Sequence, residues 1–274
     1  MSGTMAAAFD AVAASYDEVF TSSPIGRAQR QAVWEEMERA FTPGQRILEL
    51  NCGTGEDAIH LAARGVAVTA CDASEAMLAI ARRKSYALAE AVRPEFLLLR
   101  NEDLAALPGD GCFDGVLSNF SGLNCVADLG AVAVALASRI RSGGTALLCV
   151  FGRCCAWEIA WYLARGNPRK AFRRRRRSAE AQLDHAASVR VHYPRVRDIR
   201  CSFAPWFRLR RSKGVGVFVP PTFVDSLARR HPRFLAAAQR LDRTFSSLPV
   251  SRGVADHMLL QFERTQVTCA ERRP

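Results

Sequence analysis

Long hydrophobic runs are missing from this chain of 274 residues, although nearly half of the residues are apolar. No stretch of about eighteen or more apolar residues occurs, which argues against a membrane-spanning helix. The first twenty residues contain acids and no basic segment, so they do not look like a secretory signal. We therefore expect a cytoplasmic protein, long enough for one large α/β domain with an elaboration or for two small domains.

Paired cysteine motifs are also missing. The nine cysteines are an odd number, and none of them forms a C-x-x-C pair. Neither a zinc site nor a disulfide framework is indicated, and no other metal site is expected. Reduced thiols, as in the cytosol, are the expected state.

Acidic residues are absent from one segment, from Arg165 to Arg177, which holds eight basic residues. The whole chain has 38 basic and 27 acidic residues and a net charge of +11; without this segment 30 basic residues remain. The excess of positive charge therefore belongs to one segment and not to the fold as a whole.

A glycine turn stands between an apolar run and a helical pattern. Residues 47–50 predict a buried strand, Gly53 and Gly55 supply a tight turn, and apolar residues recur at helical spacing from Ala58. A strand, a glycine turn and a helix together bring backbone N–H groups close to a small ligand.

The spacing Gly53-x-Gly55-x-x-Ala58 also fits a dinucleotide site, in which a pyrophosphate lies at the helix N-terminus. Glu56 and Asp57 occupy that N-terminus and would repel a phosphate. The charge pattern therefore favours a ligand that has no phosphate and carries positive charge.

The stretch from Glu49 to Gly55 resembles the first motif of class I S-adenosylmethionine-dependent methyltransferases, E/D-x-G-x-G-x-G. Asn51 replaces the first glycine, and asparagine tolerates left-handed dihedrals better than other non-glycine residues do. S-adenosylmethionine, the cofactor that this resemblance implies, is a phosphate-free cation, so Glu49 suits it. The resemblance also implies a three-layer, doubly wound α/β fold with a mostly parallel seven-stranded sheet.

The resemblance continues along the chain and implies a set of donor-binding residues. Asp72 ends a second predicted strand, residues 66–71, where it would accept the ribose hydroxyls; capping the next helix is the alternative role. Asp103 and Leu104 stand where the family binds the adenine edge. The full set is Tyr16, Glu49, Asn51, Gly53, Gly55, Asp72, Ala73, Met77, Asp103, Leu104 and Asn119.

Two further members of this set, Tyr16 and Asn119, also have alternative roles. Tyr16, in the first of two helices predicted at residues 5–20 and 26–41, would cover the donor or only pack its helix. Asn119 and the nearby Asn124 would orient a substrate or only form turns.

The predicted organisation has four parts. N-terminal helices in residues 1–42 cover the donor site, and residues 43–151 form the donor-binding core. An inserted basic and aromatic cap follows the fifth strand at residues 152–193. Residues 194–274 complete the sheet and hold a second insertion at about 214–253.

The acceptor is less well defined than the donor. Methyl transfer to a hydroxyl or an amine needs a proton acceptor, and the candidates in the cap are His185, His192 and Tyr193. Each of them could instead be an ordinary surface or core residue. We expect a small-molecule or lipid-like acceptor.

Three further possibilities concern binding partners and activity. Peripheral contact with the inner face of an anionic membrane, through Arg165 to Arg177, is one. Nucleic-acid methylation is disfavoured, because Asn119 and Phe120 stand where an N/D-P-P-Y/F tetrapeptide is needed. A regulatory domain that binds the donor without turnover is the alternative to an enzyme.

Overall fold

The computed structural model describes residues 3–109, 112–183 and 188–266, in which strands and helices alternate. The strands are β1 (Arg46–Leu50), β2 (Ala67–Asp72), β3 (Glu95–Leu98), β4 (Phe113–Ser118), β5 (Ile140–Phe151), β6 (Ser178–Gln182), β7 (Ser188–His192), β8 (Phe207–Val215) and β9 (His257–Arg264). The helices are α1 (Gly3–Tyr16), α2 (Pro24–Ala40), α3 (Glu56–Ala62), α4 (Glu75–Ser85), α5 (Leu129–Arg139), α6 (Ala156–Leu163), α7 (Pro168–Ala171), α8 (Val196–Phe203), α9 (Asp225–Arg230), α10 (Pro232–Phe245) and α11 (Ser251–Val254).

One sheet contains seven of these strands, in the order β3-β2-β1-β4-β5-β9-β8. Strands β1 to β5 pair in parallel, and β9 runs antiparallel to both β5 and β8. The predicted mostly parallel seven-stranded sheet is thereby confirmed. The strand order reverses between β1 and β4, and open α/β sheets bind ligands at the carboxyl edge of such a switch point.

Helices cover both faces of the sheet, because successive side chains of each strand point to opposite sides. Ile47 and Leu117 pack with apolar residues of α2, α3 and α4 on one face. Leu48 and Val116 pack with α5 and α8 on the other face. The result is the predicted three-layer arrangement.

The boundary between α5 and β5 differs from the sequence-based expectation of a helix to residue 141 and a strand from residue 145. The helix ends at Arg139, and the strand begins at Ile140, which pairs with Phe113. The register then shifts, so that Gly115 pairs with Thr145. The glycines at positions 143 and 144 therefore belong to an irregular part of β5 and do not separate it from the helix.

Two segments outside the alternating core pack beside the carboxyl edge of the sheet. Residues 152–193 contain α6, α7 and the antiparallel pair β6–β7, whose strand character the sequence did not reveal. The segment after β8, where the second insertion was expected, contains α9, α10 and α11. Ile25 of α2 packs with Val224 and Leu235 in a cluster of their own. No helix of the described ranges is long and apolar enough to cross a bilayer.

Candidate functional site

The turn after β1 is shaped by three residues with left-handed backbone. Asn51 has φ 56°, Gly53 has φ 53° and Gly55 has φ 75°. The left-handed conformation expected for Asn51 is thus confirmed, and Gly122 lies so close that an added Cβ would come within 2.3 Å of the Asn51 Cβ. A Cβ on Gly53 would meet no other atom within 4 Å, because this position borders a pocket.

Gly55 has a different steric environment. A Cβ at this position would lie 2.7 Å from the Cβ of Ala81 in α4 and 3.1 Å from the ring of Phe96. The missing side chain therefore permits close packing between the turn, α4 and β3. Gly55 is not part of the pocket lining, and its predicted contact with the donor stays a prediction.

The pocket lies at the carboxyl ends of β1, β2 and β4, under helix α1. Seven of the predicted donor-binding residues line it: Tyr16, Asn51, Gly53, Asp72, Ala73, Met77 and Asn119. The structure thus brings together residues that are up to about a hundred positions apart in the sequence.

Asp72 is fixed at the pocket wall by the backbone around it. Its Oδ2 accepts a hydrogen bond from Gly53 N at 2.8 Å, and its Oδ1 accepts one from Ser74 N at 2.9 Å. Burial raises the pKa of Asp72 in spite of these bonds. Ser74, and not Asp72, caps the next helix: its Oγ accepts a hydrogen bond from Met77 N at 3.1 Å.

Glu49 is buried below the turn, with 1% of its surface exposed. Its Oε2 has no hydrogen-bond partner within the described part of the chain. Burial and the nearby charge of Asp57 hold the pKa of Glu49 well above its usual range. A cation bound close to Glu49 would offset both effects.

Asp57, at the start of α3, is held by a network that the sequence did not reveal. It accepts hydrogen bonds from Arg30 at 2.7 Å, from Trp34 at 2.6 Å and from Asn119 at 2.9 Å. Burial opposes ionisation of Asp57, but the charge of Arg30 and these bonds outweigh it and lower the pKa. Arg30 precedes Trp34 by one helical turn and therefore shares the apolar face of α2. An arginine at that helical spacing is a signal that could have predicted its burial.

Helix α1 and the turn after it close over the pocket. Met5, Phe9 and Tyr16 line the pocket from this side, and burial raises the pKa of Tyr16 to about 12. Asp10 accepts hydrogen bonds from Ser74 Oγ at 2.5 Å and from Ala76 N at 3.2 Å. These contacts tie the N-terminal segment to α4.

Asp17 makes a second connection to the same part of the core. Its carboxylate accepts hydrogen bonds from Thr54 Oγ1 at 2.6 Å and from Lys84 Nζ at 3.0 Å. Lys84 also pairs with Glu56 at 2.7 Å, which compensates one of the two acids at the start of α3.

Asp103 and Leu104 do not line the pocket. Both lie in a short 3-10 helix, Asn101–Ala106, where the Asp103 carboxylate pairs with Arg100 at 2.6 Å. Leu104 is buried in the apolar cluster below. Their predicted contact with the adenine edge stays a prediction.

The loop after β4 has strained backbone. Phe120 has φ 45° and Ser121 has φ 69°, and positive φ values are rare for residues other than glycine, above all for bulky ones. Both residues line the pocket, and Ser121 Oγ is buried without a hydrogen-bond partner in the described residues. Strain of this kind is concentrated at functional sites.

Aromatic rings surround Phe120 on the side that faces β5. Its ring lies 5.1 Å from that of Phe20 and 5.4 Å from that of His257, both edge to face. His257 in turn stacks on Phe151 at 4.5 Å. Because His257 begins the antiparallel strand β9 and pairs with Phe151, it lies at the carboxyl edge of β5.

His257 is 2% exposed and belongs to a buried charged network. Its Nδ1 lies 3.4 Å from Asp256 Oδ2 and forms no hydrogen bond within the described ranges. Burial lowers the pKa of His257 to about 4, although Asp256 acts in the opposite direction. Sequence analysis missed this residue, because a histidine at the start of an apolar strand carries no distinctive spacing.

Arg174 connects this network to the segment after β5. Its guanidinium pairs with Asp256 at 2.7 Å and with Glu158 of α6 at 2.8 Å, and it lies over the ring of Phe151 at 4.5 Å. Arg173 pairs with the same Glu158 at 2.6 Å. Arg174 is therefore an internal residue, and Arg173 is half-buried.

The proton-acceptor candidates named from the sequence lie elsewhere or outside the described residues. His192 and Tyr193 line a second pocket with Arg153, Arg177 and Asp128, on the other side of the turn at residues 122–126. Tyr193 is buried, which raises its pKa. His185 falls outside the described residues. The proposed roles of all three stay predictions.

Asn124 has a structural task in that turn. Its Nδ2 donates to the carbonyl oxygens of His192 at 2.6 Å and Phe151 at 3.2 Å, and its Oδ1 accepts from Phe151 N at 2.9 Å. The side chain thus joins the turn, the end of β5 and the end of β7.

Two residues that line the first pocket have buried polar atoms without a hydrogen-bond partner in the described part of the chain, namely Arg30 Nε and Ser121 Oγ. The same is true of Glu49 Oε2 and His257 Nδ1, which do not line the pocket. Buried polar atoms in folded proteins are nearly always paired, so this group suits a polar ligand. A cationic amine or sulfonium fits Glu49, and hydroxyl groups fit Asp72, so the residues present fit S-adenosylmethionine.

Comparison with known proteins gives consistent matches. A family model described as a methyltransferase domain matches residues 47–144. A demethylmenaquinone methyltransferase from Clavibacter sepedonicus is 36% identical over 150 residues, covering 54% of this chain and 58% of the relative. A protein of the same name from Mycobacterium tuberculosis (strain CDC 1551 / Oshkosh) is 32% identical over 176 residues, covering 61% of this chain and 68% of the relative. The chain thus matches little more than half the length of the Clavibacter protein.

Solved structures share the fold. The DhpI–SAH complex superposes with a TM-score of 0.58 and 17% identity, covering 97% of each chain. An S-adenosylmethionine-dependent methyltransferase from Mesorhizobium loti gives a TM-score of 0.54 and 19% identity, covering 85% of this chain and 98% of that one. At these identities the likeness concerns the fold.

Proposed function

Because the chain belongs to the class I S-adenosylmethionine-dependent methyltransferase family, we propose that it methylates a small or lipid-like aromatic acceptor that carries a hydroxyl group. The observation that carries the proposal is the pocket at the carboxyl ends of β1, β2 and β4, with Gly53 and Asp72 on its wall. Its lining combines an open glycine, an oriented carboxylate and buried polar atoms in need of partners.

The donor would be held by residues that are fixed in place by their neighbours. S-adenosylmethionine supplies an electrophilic methyl group on a sulfonium when it is bound. Asp72 would accept hydrogen bonds from hydroxyl groups, and Glu49 would compensate positive charge. Met77 would pack on an apolar ring, and α1 would exclude water from the site.

The aromatic character of the acceptor is inferred from the edge where β4 and β5 end. Phe20, Phe120, Phe151 and His257 contribute rings there, and aromatic pairs favour offset or edge-to-face stacking. Relatives named demethylmenaquinone methyltransferases support a ring-bearing acceptor. An acceptor ring would stack beside Phe120, whose ring lies 5.4 Å from that of His257.

Removal of a proton from the acceptor is assigned to His257 in this proposal. The lowered pKa leaves its imidazole neutral at neutral pH, so a nitrogen is available to accept a proton. Asp256, 3.4 Å away, would stabilise the imidazolium that results.

Calorimetry with the purified protein tests the donor part of the proposal. The protein should bind S-adenosylmethionine and S-adenosylhomocysteine and not NAD. Asp72→Asn should weaken donor binding by about ten- to a hundred-fold, because a charge-assisted hydrogen bond is lost. Glu102→Gln is the control, since Glu102 is exposed and lies in the same region of the chain. Tight binding of NAD, or an Asp72→Asn variant with unchanged affinity, would refute the donor assignment.

Transfer of a labelled methyl group tests the catalytic part. Naphthoquinols with and without a prenyl tail are suitable acceptors. Nucleic acid and a cell extract serve as comparisons. Transfer to a quinol supports the proposal. Donor binding without transfer to any of these compounds would favour a regulatory domain. Transfer to nucleic acid alone would show that the acceptor is a nucleic acid and not a small or lipid-like aromatic compound.

A further inference from the structure

The basic run from Arg165 to Arg177 divides into an inner and an outer part. Arg173 and Arg174 point inward and pair with Glu158 and Asp256. The outer cations lie along aromatic rings: the Arg165 guanidinium is 3.3 Å from the centroid of Trp161, and Lys170 Nζ is 5.6 Å from that of Tyr162. The stems of these side chains therefore cover apolar surface while their charges remain accessible.

Large apolar side chains are exposed beside these cations. Leu163 is 45% exposed, Phe172 and Phe223 are each 38% exposed, and Phe234 is 37% exposed. Phe223 and Phe234 come from the second insertion, about sixty residues further along the chain. A contiguous exposed apolar patch on a folded protein marks an interaction surface.

Ring contacts join the two segments into one face. Phe223 lies 6.0 Å from Trp161 and 5.6 Å from Tyr162, and Phe234 lies 6.1 Å from Trp157. We call this surface the cap face. It consists of the exposed apolar residues Leu163, Phe172, Phe223 and Phe234 and the exposed cations Arg165, Arg169, Lys170, Arg230 and Arg233.

The cap face has one sign of charge. Residues 159–177 and 226–241 contain no aspartate or glutamate, and the nearby Asp225 pairs with Arg229 at 2.6 Å. Such a face attracts an anionic partner. The partner must also offer an apolar environment, because the four partly exposed apolar side chains gain free energy only when they are removed from water. Phosphate groups alone do not provide such an environment.

We propose that the cap face binds the surface of an anionic phospholipid bilayer. The arginines and Lys170 would contact headgroups, and Leu163, Phe172, Phe223 and Phe234 would enter the boundary between headgroups and acyl chains. Clustered basic residues next to aromatic and aliphatic side chains are the combination that favours this boundary. The cap face shares no residue with the donor pocket, so this proposal does not depend on methyl transfer.

Co-sedimentation with vesicles tests the proposal on the full chain. The probes are vesicles of phosphatidylcholine alone and vesicles of equal parts phosphatidylcholine and phosphatidylglycerol. Binding should require phosphatidylglycerol and weaken as salt is added. The variant Arg169→Gln/Lys170→Gln/Arg233→Gln should bind the anionic vesicles about a hundred-fold less tightly. Recovery of the unmodified protein in the supernatant with both vesicle types would overturn the proposal.

Two matched variants test whether vesicle binding depends on the cap face and not merely on net charge, and whether the face binds nucleic acid instead. Arg83→Gln/Arg197→Gln/Arg200→Gln removes the same charge from exposed positions outside the cap face and should leave vesicle binding within about two-fold. An equal loss in both triple variants would refute a specific face.

The second variant, Leu163→Ser/Phe234→Ser, should lose vesicle binding while its affinity for the donor is unchanged. If it retains vesicle binding and the charge variant loses affinity for RNA, the face is a nucleic-acid surface instead. Donor binding by calorimetry serves as the test that every variant is folded.

Discussion

At the scale of single residues, His257 joins the candidate site to the stability of the protein. It is enclosed by Phe120, Phe151 and Asp256, and burial lowers its pKa from 6.5 to about 4. Its pKa in the unfolded chain is higher, so the unfolded state binds more protons between these two values. The contribution of His257 to stability is therefore fully present above about pH 6.5 and is lost as the pH falls toward 4.

The variant His257→Gln should show both consequences. The free energy of unfolding of the unmodified protein should fall by on the order of 3 kcal/mol between about pH 6.5 and pH 4, from the shift in this pKa. The variant should lack that part of the slope in urea titrations. Methyl transfer to an acceptor identified as above should fall by about a hundred-fold or more if His257 accepts the proton.

His192→Gln is the comparison for this experiment, since His192 was the candidate named from the sequence. It should change the rate of transfer little. A large loss of rate in His192→Gln, with an unaffected His257→Gln, would move the proton acceptor to the second pocket.

Sequence reasoning found residues whose role follows from a local pattern. Asp72 ends a strand and Asn51 replaces a turn glycine, and both features are readable within a few positions. His257 and Arg30 escaped it, because their surroundings depend on contacts between distant segments. The pairs of Arg30 with Asp57 and of His257 with Phe151 join positions 27 and 106 residues apart, which no local period encodes.

At the scale of elements, the turn between β1 and α3 separates the roles of its two glycines. Gly53→Ala should fold and bind the donor more weakly, because the added Cβ enters the pocket. Gly55→Ala should instead lower the free energy of unfolding by about 1–3 kcal/mol, because its Cβ would clash with Ala81.

Calorimetry for the donor and urea unfolding of both variants check this contrast. Gly44→Ala is a suitable control, since Gly44 also has positive φ and an added Cβ there meets no atom within 4 Å. If Gly55→Ala were as stable as Gly44→Ala and failed to bind the donor, Gly55 would contact the ligand as the sequence resemblance implied.

Strands β1 and β2 could be predicted because each is a short, largely apolar run that a glycine turn or an acid follows. The pair β6–β7 was missed, because both strands have only five residues and β6 contributes no apolar side chain larger than alanine. Strand β7 does alternate exposed and buried residues, with Val189 and Val191 buried. Helix α10 was also missed, although its Leu235 and Ala238 are buried in a cluster with residues of α2 and α9. Both belong to segments whose packing partners lie far away in the sequence.

At the scale of the whole molecule, buried charges join residues 152–193, the predicted cap, to the sheet. Arg174 follows β5 by more than twenty residues, yet it pairs with Asp256 immediately before β9 and with Glu158 in α6. Burial opposes its charge, but the two carboxylates outweigh this effect and raise the pKa of Arg174. Glu158 and Asp256 are each at least 95% buried; Glu158 also pairs with Arg173, whereas Asp256 has Arg174 as its arginine partner.

Arg174→Met should therefore destabilise the protein far more than the change of an exposed arginine in the same run. Removal of one partner from a buried ion pair costs about 3–5 kcal/mol, because the buried carboxylate of Asp256 loses its arginine partner. The matched control is Arg176→Met, an exposed position two residues away, for which a change within about 0.5 kcal/mol is expected. Urea unfolding measures both values, and limited proteolysis at residues 164–177 reports whether the cap detaches first. Equal stability of the two variants would mean that Trp157 and Trp161, through their contacts with Phe234 and Phe223, hold the cap without the charges.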